Sequence, residues 1–200
     1  MIRGTYPPNP VWENRETIQF GDKQHAIRGW INSEKQRVYM EQVARNSTIG
    51  AEIGSWCGLS ACVLAYNMPP QGKLYCIDTF NATDGYDCDI DLWKEWNENL
   101  SMLNVRDKVT PLIGRSEDEP FRLCPDNLDF IYVDGGHFYR EVIIDILLYR
   151  NKLKADTGLM LLHDFDFADV QAAVLDCIKG GVLRDLEIID NNFVVAKVNR

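Results

Sequence analysis

The chain has 200 residues, of which 46% are hydrophobic and 26% charged, and its formal net charge is −9 at pH 7. These values predict one globular domain with a buried core and exclude wholesale disorder. The negative charge disfavours nucleic acid as a partner, and no apolar run reaches the ~18 residues of a membrane span. We therefore expect a soluble, cytoplasmic protein that binds neither nucleic acid nor membrane.

The cysteines indicate the same compartment, because none of the six forms a C-x-x-C pair and most lie in apolar patterns. We expect free, reduced thiols that act as small core residues. They are Cys57, Cys62, Cys76, Cys88, Cys124 and Cys177.

The N-terminal part of the chain is predicted to be an arm followed by a helix. Residues 1–32, with prolines at 7, 8 and 10, are predicted to be irregular. Ser33-Glu34-Lys35-Gln36 has the spacing of a capping box, which predicts a helix over 33–46. Residues 47–198 then form the rest of a single domain, with no linker.

From residue 47 onward, strand and helix patterns alternate and then end in a hairpin. Strands are predicted at 49–53, 73–78, 108–113, 128–134 and 158–162, and helices at 58–67, 90–103, 138–151 and 168–179. The last segments, LEIID and NFVVAKV, are joined at Asn191-Asn192. Repeated βα units predict an α/β three-layer sandwich with a mostly parallel sheet, to which the hairpin adds an antiparallel strand.

The most informative segment is the turn between the first of these strands and its helix. Glu52 ends the strand, and Gly54 and Gly58 follow it, where the missing Cβ atoms allow a ligand to approach the backbone. Asp78 closes the next strand, 20 residues after Gly58, at about the distance where an acid contacts a ribose. A tight strand-to-helix turn without a ligand is the alternative.

Polar side chains recur at the carboxyl ends of the predicted strands. They are Glu52, Asp78, Ser116, Asp134 with His137, and His163 with Asp164. Ligands of parallel α/β sheets bind at this edge. Asp134 and Asp164 follow neighbouring strands, so their carboxylates should approach each other and repel unless a cation, a proton or a histidine intervenes.

Several segments together resemble a known enzyme family. They are GWINSEKQRVYMEQVA, AEIGSWCGLSACVLA, LYCIDTF, LDFIYVDGGHFYREVIIDI and LKADTGLMLLHDF. They are similar to class I S-adenosylmethionine-dependent methyltransferases over roughly residues 29–198, and most closely to the small family related to macrocin and cephalosporin-pathway O-methyltransferases. This resemblance implies a Rossmann-like fold with a seven-stranded sheet of order 3-2-1-4-5-7-6 and an antiparallel strand seven.

The resemblance also implies where the cofactor S-adenosylmethionine would bind. Glu52, Gly54 and Ser55 would line its methionine part, Asp78 the ribose, Phe80 and Ser116 the adenine, and Asp134 the sulfonium. The whole implied cofactor set is Glu52, Gly54, Ser55, Trp56, Gly58, Asp78, Thr79, Phe80, Ser116, Asp134 and Gly135. Carboxylates suit a positive sulfonium, whereas a dinucleotide pyrophosphate would be repelled by Glu52 and Asp134.

The expected activity is methyl transfer, in the EC 2.1.1 class, to a hydroxyl of a small molecule. Asp134, His137 and His163 are the candidate catalytic residues, since a histidine can take the hydroxyl proton near neutral pH. Asp134 and Asp164 are candidate ligands of Mg²⁺ or another divalent cation, although His163-Asp164 stands where metal-binding relatives carry two acids.

Three alternatives from other classes stay open at this point: a non-catalytic cofactor-binding protein, a metal-dependent hydrolase and an NAD(P)-dependent oxidoreductase. A homodimer is also expected, in which a second subunit covers the proline-containing arm and exposed aromatics of the 92–103 helix.

Overall fold

The computed structural model describes residues 14–81 and 90–199. Two parts of the sequence predictions lie outside the described residues: the proline-containing start of the arm and Cys88. Cys57, Cys62, Cys76, Cys124 and Cys177 are free and buried, as predicted. In the described part of the chain, no helix is long and apolar enough to cross a membrane.

Strands and helices alternate from residue 49 to residue 179. The strands are β1 Arg15–Phe20, β2 Lys23–Arg28, β3 Ile49–Ile53, β4 Lys73–Asp78, β5 Val109–Ile113, β6 Phe130–Val133, β7 Leu159–Leu162, β8 Leu183–Ile188 and β9 Val194–Val198. The helices are α1 Glu34–Arg45, α2 Leu59–Asn67, α3 Leu92–Met102, α4 Glu119–Leu123, α5 Tyr139–Tyr149 and α6 Ala168–Lys179. All predicted elements of the core are present, and the short helix α4 was not predicted.

The main sheet has seven strands in the order β5-β4-β3-β6-β7-β9-β8. Numbered from β3, this is the predicted order 3-2-1-4-5-7-6. The pairs from β5 to β7 are parallel, and β9 runs antiparallel to both of its neighbours. The predicted fold class is therefore confirmed. The order reverses between β3 and β6, which is where ligands bind in open α/β sheets.

The core lies in two apolar layers, one on each face of the sheet. One layer contains the inward sides of α1, α2 and α3, and the other those of α5 and α6. Every residue of the central strand β6 is buried, and its neighbours β3 and β7 are buried except for their first residues. Such strands show an apolar run rather than an alternating pattern, which agrees with their place between two helical layers.

Residues 15–28 form an antiparallel hairpin, so the prediction of an irregular segment there is wrong. Strand β1 pairs with β2 from Arg15↔Arg28 to Phe20↔Lys23. Ile18, Phe20 and Ile27 are buried in the α1–α3 layer. The alternation in RETIQF and KQHAIR is short and carries few apolar residues, which is why tertiary packing rather than local pattern defines this hairpin.

Helix α1 begins as predicted, with one difference in its cap. The Ser33 hydroxyl accepts a hydrogen bond from the backbone N–H of Gln36 at 3.1 Å. The side-chain oxygen of Gln36 accepts from the N–H of Asn32, not from that of Ser33. Gln36 is fully buried, so this helix start is fixed against the sheet.

The predicted exposure of aromatic residues on α3 is only partly right. Trp96 is completely buried, whereas Trp93 is 37% exposed. Asp91 caps the helix by accepting a hydrogen bond from the backbone N–H of Lys94. One tryptophan, not two, thus supports the argument for a dimer interface on this helix.

Candidate active site

The turn between β3 and α2 requires glycine at two positions. Gly54 and Gly58 have φ values of +85° and +86°, in the region that glycine adopts without strain. A Cβ on Gly54 would lie 2.0 Å from the carbonyl oxygen of Asp134, and one on Gly58 would lie 2.8 Å from the Trp96 ring. The turn therefore packs directly on the backbone that follows β6.

Asp78 holds this turn in place from the end of β4. Its Oδ2 accepts hydrogen bonds from the backbone N–H groups of Ser55 and Trp56, both at 2.8 Å, and its Oδ1 accepts from Phe80 N–H at 2.7 Å. The carboxylate is half-buried, so a ribose contact would use the remaining lone pairs of the same two oxygens. Asp78 thus has a structural function in addition to any contact with a ligand.

Glu52, at the end of β3, is a buried carboxyl group beneath the turn. Its Oε2 accepts a hydrogen bond from the Ser55 hydroxyl. Burial raises the pKa of Glu52 to about 7, although hydrogen bonds from Ser55, Ser60 and Cys76 act in the opposite direction. The group therefore changes charge close to neutral pH, where a positive ligand would favour the ionised form.

The aromatic and hydroxyl side chains beside the turn contact one another. Trp56, with φ of 44°, packs against Trp30 with ring centroids 4.7 Å apart. Phe80, which was predicted to cover the adenine, packs edge-on against Trp93 and Trp96 at 5.0 and 5.2 Å. The remaining predicted residue of this loop, Thr79, donates its hydroxyl to the carbonyl of Asn81.

Ser116 lies after β5, and its hydroxyl donates to Asp145 Oδ1 on α5. Burial raises the pKa of Asp145 to about 7, partly offset by this hydrogen bond. A Cβ on Gly135 would lie 3.4 Å from the other oxygen of Asp145. Ser116 and Gly135, predicted from different loops, therefore lie close to different oxygens of one buried carboxyl group.

The two acid–histidine pairs form one cluster at the carboxyl ends of β6 and β7. His163 Nδ1 lies 3.1 Å from Asp134 Oδ1 and 3.1 Å from Asp164 Oδ2. His137 Nε2 lies 2.8 Å from the same Asp164 oxygen. A histidine therefore stands between the two carboxylates, as one of the predicted arrangements requires.

The charges in this cluster fix its protonation. Burial would lower the pKa of His163, but Asp134 and Asp164 outweigh it and raise the pKa to about 10. Burial would likewise lower the pKa of His137, yet the hydrogen bond and charge of Asp164 raise it. The pKa of Asp164 is held well below its usual range by the two histidines despite burial, whereas burial raises the pKa of Asp134. At neutral pH His163 is a buried cation between two acids.

Two residues that sequence reasoning did not place in the site support this cluster. The Tyr132 hydroxyl is fully buried, accepts from Gln36 Nε2 at 3.3 Å, and hydrogen-bonds Asp134. Asn192, from the β8–β9 turn, donates to Asp164 Oδ1 at 3.1 Å and to Asp166 Oδ1 at 2.7 Å. In the sequence, Tyr132 lies in an apolar run typical of a strand, and Asn192 lies in a hairpin turn where asparagine is common. Neither pattern therefore indicated a function in the site.

Asp134, His137 and Asp164 each offer one potential metal-ligand atom, and these three atoms lie within 4.8 Å of one another. This spacing fits a divalent cation. Because an imidazole joins two carboxylates, the donor set suits a transition metal better than Mg²⁺.

A methyltransferase domain family matches residues 51–165, which is more than half of the chain. The chain belongs to this family. The matched range of the methyltransferase domain begins within β3 and ends just after Asp164, so it contains the glycine turn and the whole acid–histidine cluster. No curated protein sequence matches the chain.

Solved structures with the same fold include several methyltransferases. Cofactor-bound Rv0187 from MTB is 15% identical with a TM-score of 0.70, over 87% of this chain and 84% of that one. The O-methyltransferase TomG from Streptomyces achromogenes, in complex with SAM, is 15% identical with a TM-score of 0.65, over 84% and 81%. SAH-bound methyltransferase PaMTH1 from Podospora anserina is 15% identical with a TM-score of 0.66, over 85% and 80%. At these identities the likeness is one of fold.

Proposed function

We propose that this methyltransferase domain transfers a methyl group from S-adenosylmethionine to a hydroxyl oxygen of a small molecule. One observation carries the proposal: Gly54 packs on the backbone of Asp134, whose carboxylate contacts His163. The turn that would hold a cofactor and the cluster that would move a proton are therefore adjacent. The names of the SAM-bound and SAH-bound neighbours agree with this choice of cofactor.

The residues around the turn fit a ligand with a positive centre. Glu52, Asp78 and Asp134 place three carboxyl groups about one glycine turn, which would repel the pyrophosphate of a nicotinamide dinucleotide. The two glycines allow the turn to pack against the Asp134 backbone and the Trp96 ring, which a Cβ at either position would prevent. When bound, S-adenosylmethionine would supply the methyl group: the new C–O bond forms as the S–C bond breaks, and that electron pair goes to sulfur.

His137 is the proposed general base. Its side chain is 33% exposed, and its Nε2 faces Asp164, so the neutral ring would donate from Nε2 and present Nδ1 to the acceptor hydroxyl. Asp164 holds the ring and stabilises the imidazolium that forms when Nδ1 takes the proton. His163 is buried and already protonated at neutral pH, so its proposed function is to hold Asp134 and Asp164 in place.

Calorimetric titration with S-adenosylhomocysteine, NAD and NADP tests the cofactor. We expect micromolar binding of the adenosyl ligand alone. Binding of NAD without a response to S-adenosylhomocysteine would refute the proposal and favour the oxidoreductase. Cofactor binding without methyl transfer to any acceptor in a labelled-donor screen of metabolite extracts would favour a non-catalytic binding protein.

A comparison of two matched variants tests the base. His137→Gln should lower kcat and abolish the rise of rate with pH that a titrating base gives, with cofactor affinity kept. His163→Gln should leave a pH-dependent rate, because His137 remains. The opposite result, with the pH dependence lost only in His163→Gln, would assign the base to His163.

A divalent ion is a second candidate feature, supported by the spacing of Asp134, His137 and Asp164. If an ion binds there, these side chains would hold it and it would lower the pKa of the acceptor hydroxyl. His137 would then be a ligand, so a metal-dependent enzyme needs another proton acceptor.

The finer sequence predictions are retained as proposals. They are the relationship to macrocin and cephalosporin-pathway O-methyltransferases, a single domain over 1–200, a cytoplasmic location and a homodimer. Trp93, 37% exposed on α3, is the described feature that supports the dimer. Light scattering at high concentration tests it, and a monomer would contradict it.

A further inference from the structure

Helices α5 and α6 both begin with a phenylalanine at the N-cap position. Phe138 precedes α5 and Phe167 precedes α6, each with an extended backbone and no side-chain cap. The N-cap position favours Ser, Thr, Asp and Asn, whose side chains accept from the first free N–H groups of the helix, and it disfavours apolar residues. A phenyl ring accepts no such bond, so neither residue is explained by the stability of its helix.

Burial does not explain the two rings either. Phe138 is 52% exposed and Phe167 is 42% exposed, although most other phenylalanines of the described chain are buried. Large exposed apolar side chains that lie together indicate a surface that contacts something else.

One of the two rings packs on the acid–histidine cluster, and the other belongs to the residue that follows His137. The ring of Phe167 packs edge-on against His137, with centroids 5.1 Å apart. Phe138 follows His137 directly in the chain. The helix starts are also joined, because the N–H of Tyr139 donates to the Asp169 carboxylate at 3.1 Å. The Phe167 ring therefore borders the imidazole that is proposed to take the acceptor proton, and Phe138 lies at the adjoining helix start.

We propose that Phe138 and Phe167 form the binding site for the acceptor, and that this acceptor is an uncharged aromatic alcohol. This inference rests on the proposed methyl transfer and names its substrate class. Aromatic rings bind other aromatic rings in edge-to-face or offset-stacked pairs, which gives a flat acceptor a preferred orientation beside His137. Asp164 contacts His137, and Asp166 precedes Phe167 in the chain, so their charges disfavour an acceptor that carries its own carboxylate or phosphate.

The test compares matched phenols and saturated alcohols as binding probes. Phenol, catechol and 2-naphthol are titrated against cyclohexanol, cyclohexane-1,2-diol and decahydro-2-naphthol, with and without S-adenosylhomocysteine. We expect the wild-type chain to bind each aromatic probe several-fold more tightly than its saturated partner. Each of Phe138→Ser and Phe167→Ser should weaken the aromatic probe by about threefold to tenfold and leave the saturated one nearly unchanged.

The serine variants also distinguish a loss of probe binding from a loss of folding stability. Because serine is a better N-cap than phenylalanine, the urea midpoint of each variant should be unchanged or higher. Met102→Ser is the matched control: Met102 is 45% exposed at the end of α3, at the opposite edge of the sheet, and its loss should leave binding of all six probes unchanged.

Equal affinity for aromatic and saturated probes, or full aromatic affinity in both Phe variants, would overturn the assignment. If S-adenosylhomocysteine binds while this preference is missing, the acceptor site fails and the methyl-transfer proposal stands. If S-adenosylhomocysteine does not bind, the cofactor proposal fails, and the titrations without it still decide whether the two rings form an aryl site.

Discussion

The protonation of His163 makes a quantitative prediction about stability. Asp134 and Asp164 raise the pKa of this buried imidazole from 6.5 to about 10. Between these values the folded protein binds one more proton than the unfolded chain. The free energy of unfolding must then fall as pH rises, by ~1.4 kcal/mol per pH unit for a full proton. This stabilisation is complete below pH 6.5 and lost as pH passes 10.

From pH 7 to pH 9 we therefore expect a decrease of about 2 kcal/mol that originates at His163. The contributions of Glu52 and Asp145 fall in a different window, because their pKa values are raised to about 7 and their effects are complete near that pH. Urea titrations followed by tryptophan fluorescence at pH 7, 8 and 9 would measure the decrease, with the buried Trp96 as a reporter.

His163→Gln removes the titrating group and should remove this difference. The variant is also expected to be less stable than the wild type at pH 7, because Asp134 and Asp164 lose the cation between them. His25→Gln is the control, since it removes a histidine and leaves both carboxylates and His163 in place. Parallel stability curves for the wild type and His163→Gln between pH 7 and pH 9 would refute a protonated His163.

Two further predictions concern the cofactor turn and the metal. Asp78→Ala should weaken S-adenosylhomocysteine binding at least tenfold in calorimetry, and unchanged affinity would remove Asp78 from the ligand site. Because the Asp78 oxygens accept hydrogen bonds from three backbone N–H groups, the variant should also lower the free energy of unfolding, measured in urea, by about 2–3 kcal/mol. If Asp134, His137 and Asp164 bind a metal, exhaustive EDTA treatment should abolish turnover, and adding Mn²⁺ or Zn²⁺ should restore it. Turnover that survives EDTA treatment would exclude a metal and leave His137 as the base.

The order of the main sheet could be predicted because its signals are local and repeated. Each buried strand is an apolar run that ends at a polar residue, and each helix has its own period. The hairpin β1–β2 has no such repeated local signal in its sequence. Its two strands carry few apolar residues, and Ile18, Phe20 and Ile27 are buried through packing in the layer formed by α1, α2 and α3.

The approach of Asp134 to Asp164 could also be predicted, because both follow neighbouring parallel strands. Side-chain direction could not. Phe80 turns into an aromatic cluster with Trp93 and Trp96, and the Ser116 hydroxyl is directed to Asp145. Their loops were placed at the correct edge of the sheet, but a rotamer depends on neighbours that are distant in sequence.

Several residues with unfavourable local conformations lie at one edge of the sheet, and this observation does not depend on the family match. In the described chain six residues other than glycine have positive φ values, and three of them, Trp56, Phe80 and Asp164, lie in the loops after β3, β4 and β7. Such a conformation costs ~1–2 kcal/mol for a residue other than glycine. Phe138 and Phe167 occupy N-cap positions that a small polar residue would stabilise better. These unfavourable positions lie at the same carboxyl-terminal edge of the sheet as the acid–histidine cluster. They support the binding and catalytic site proposed there.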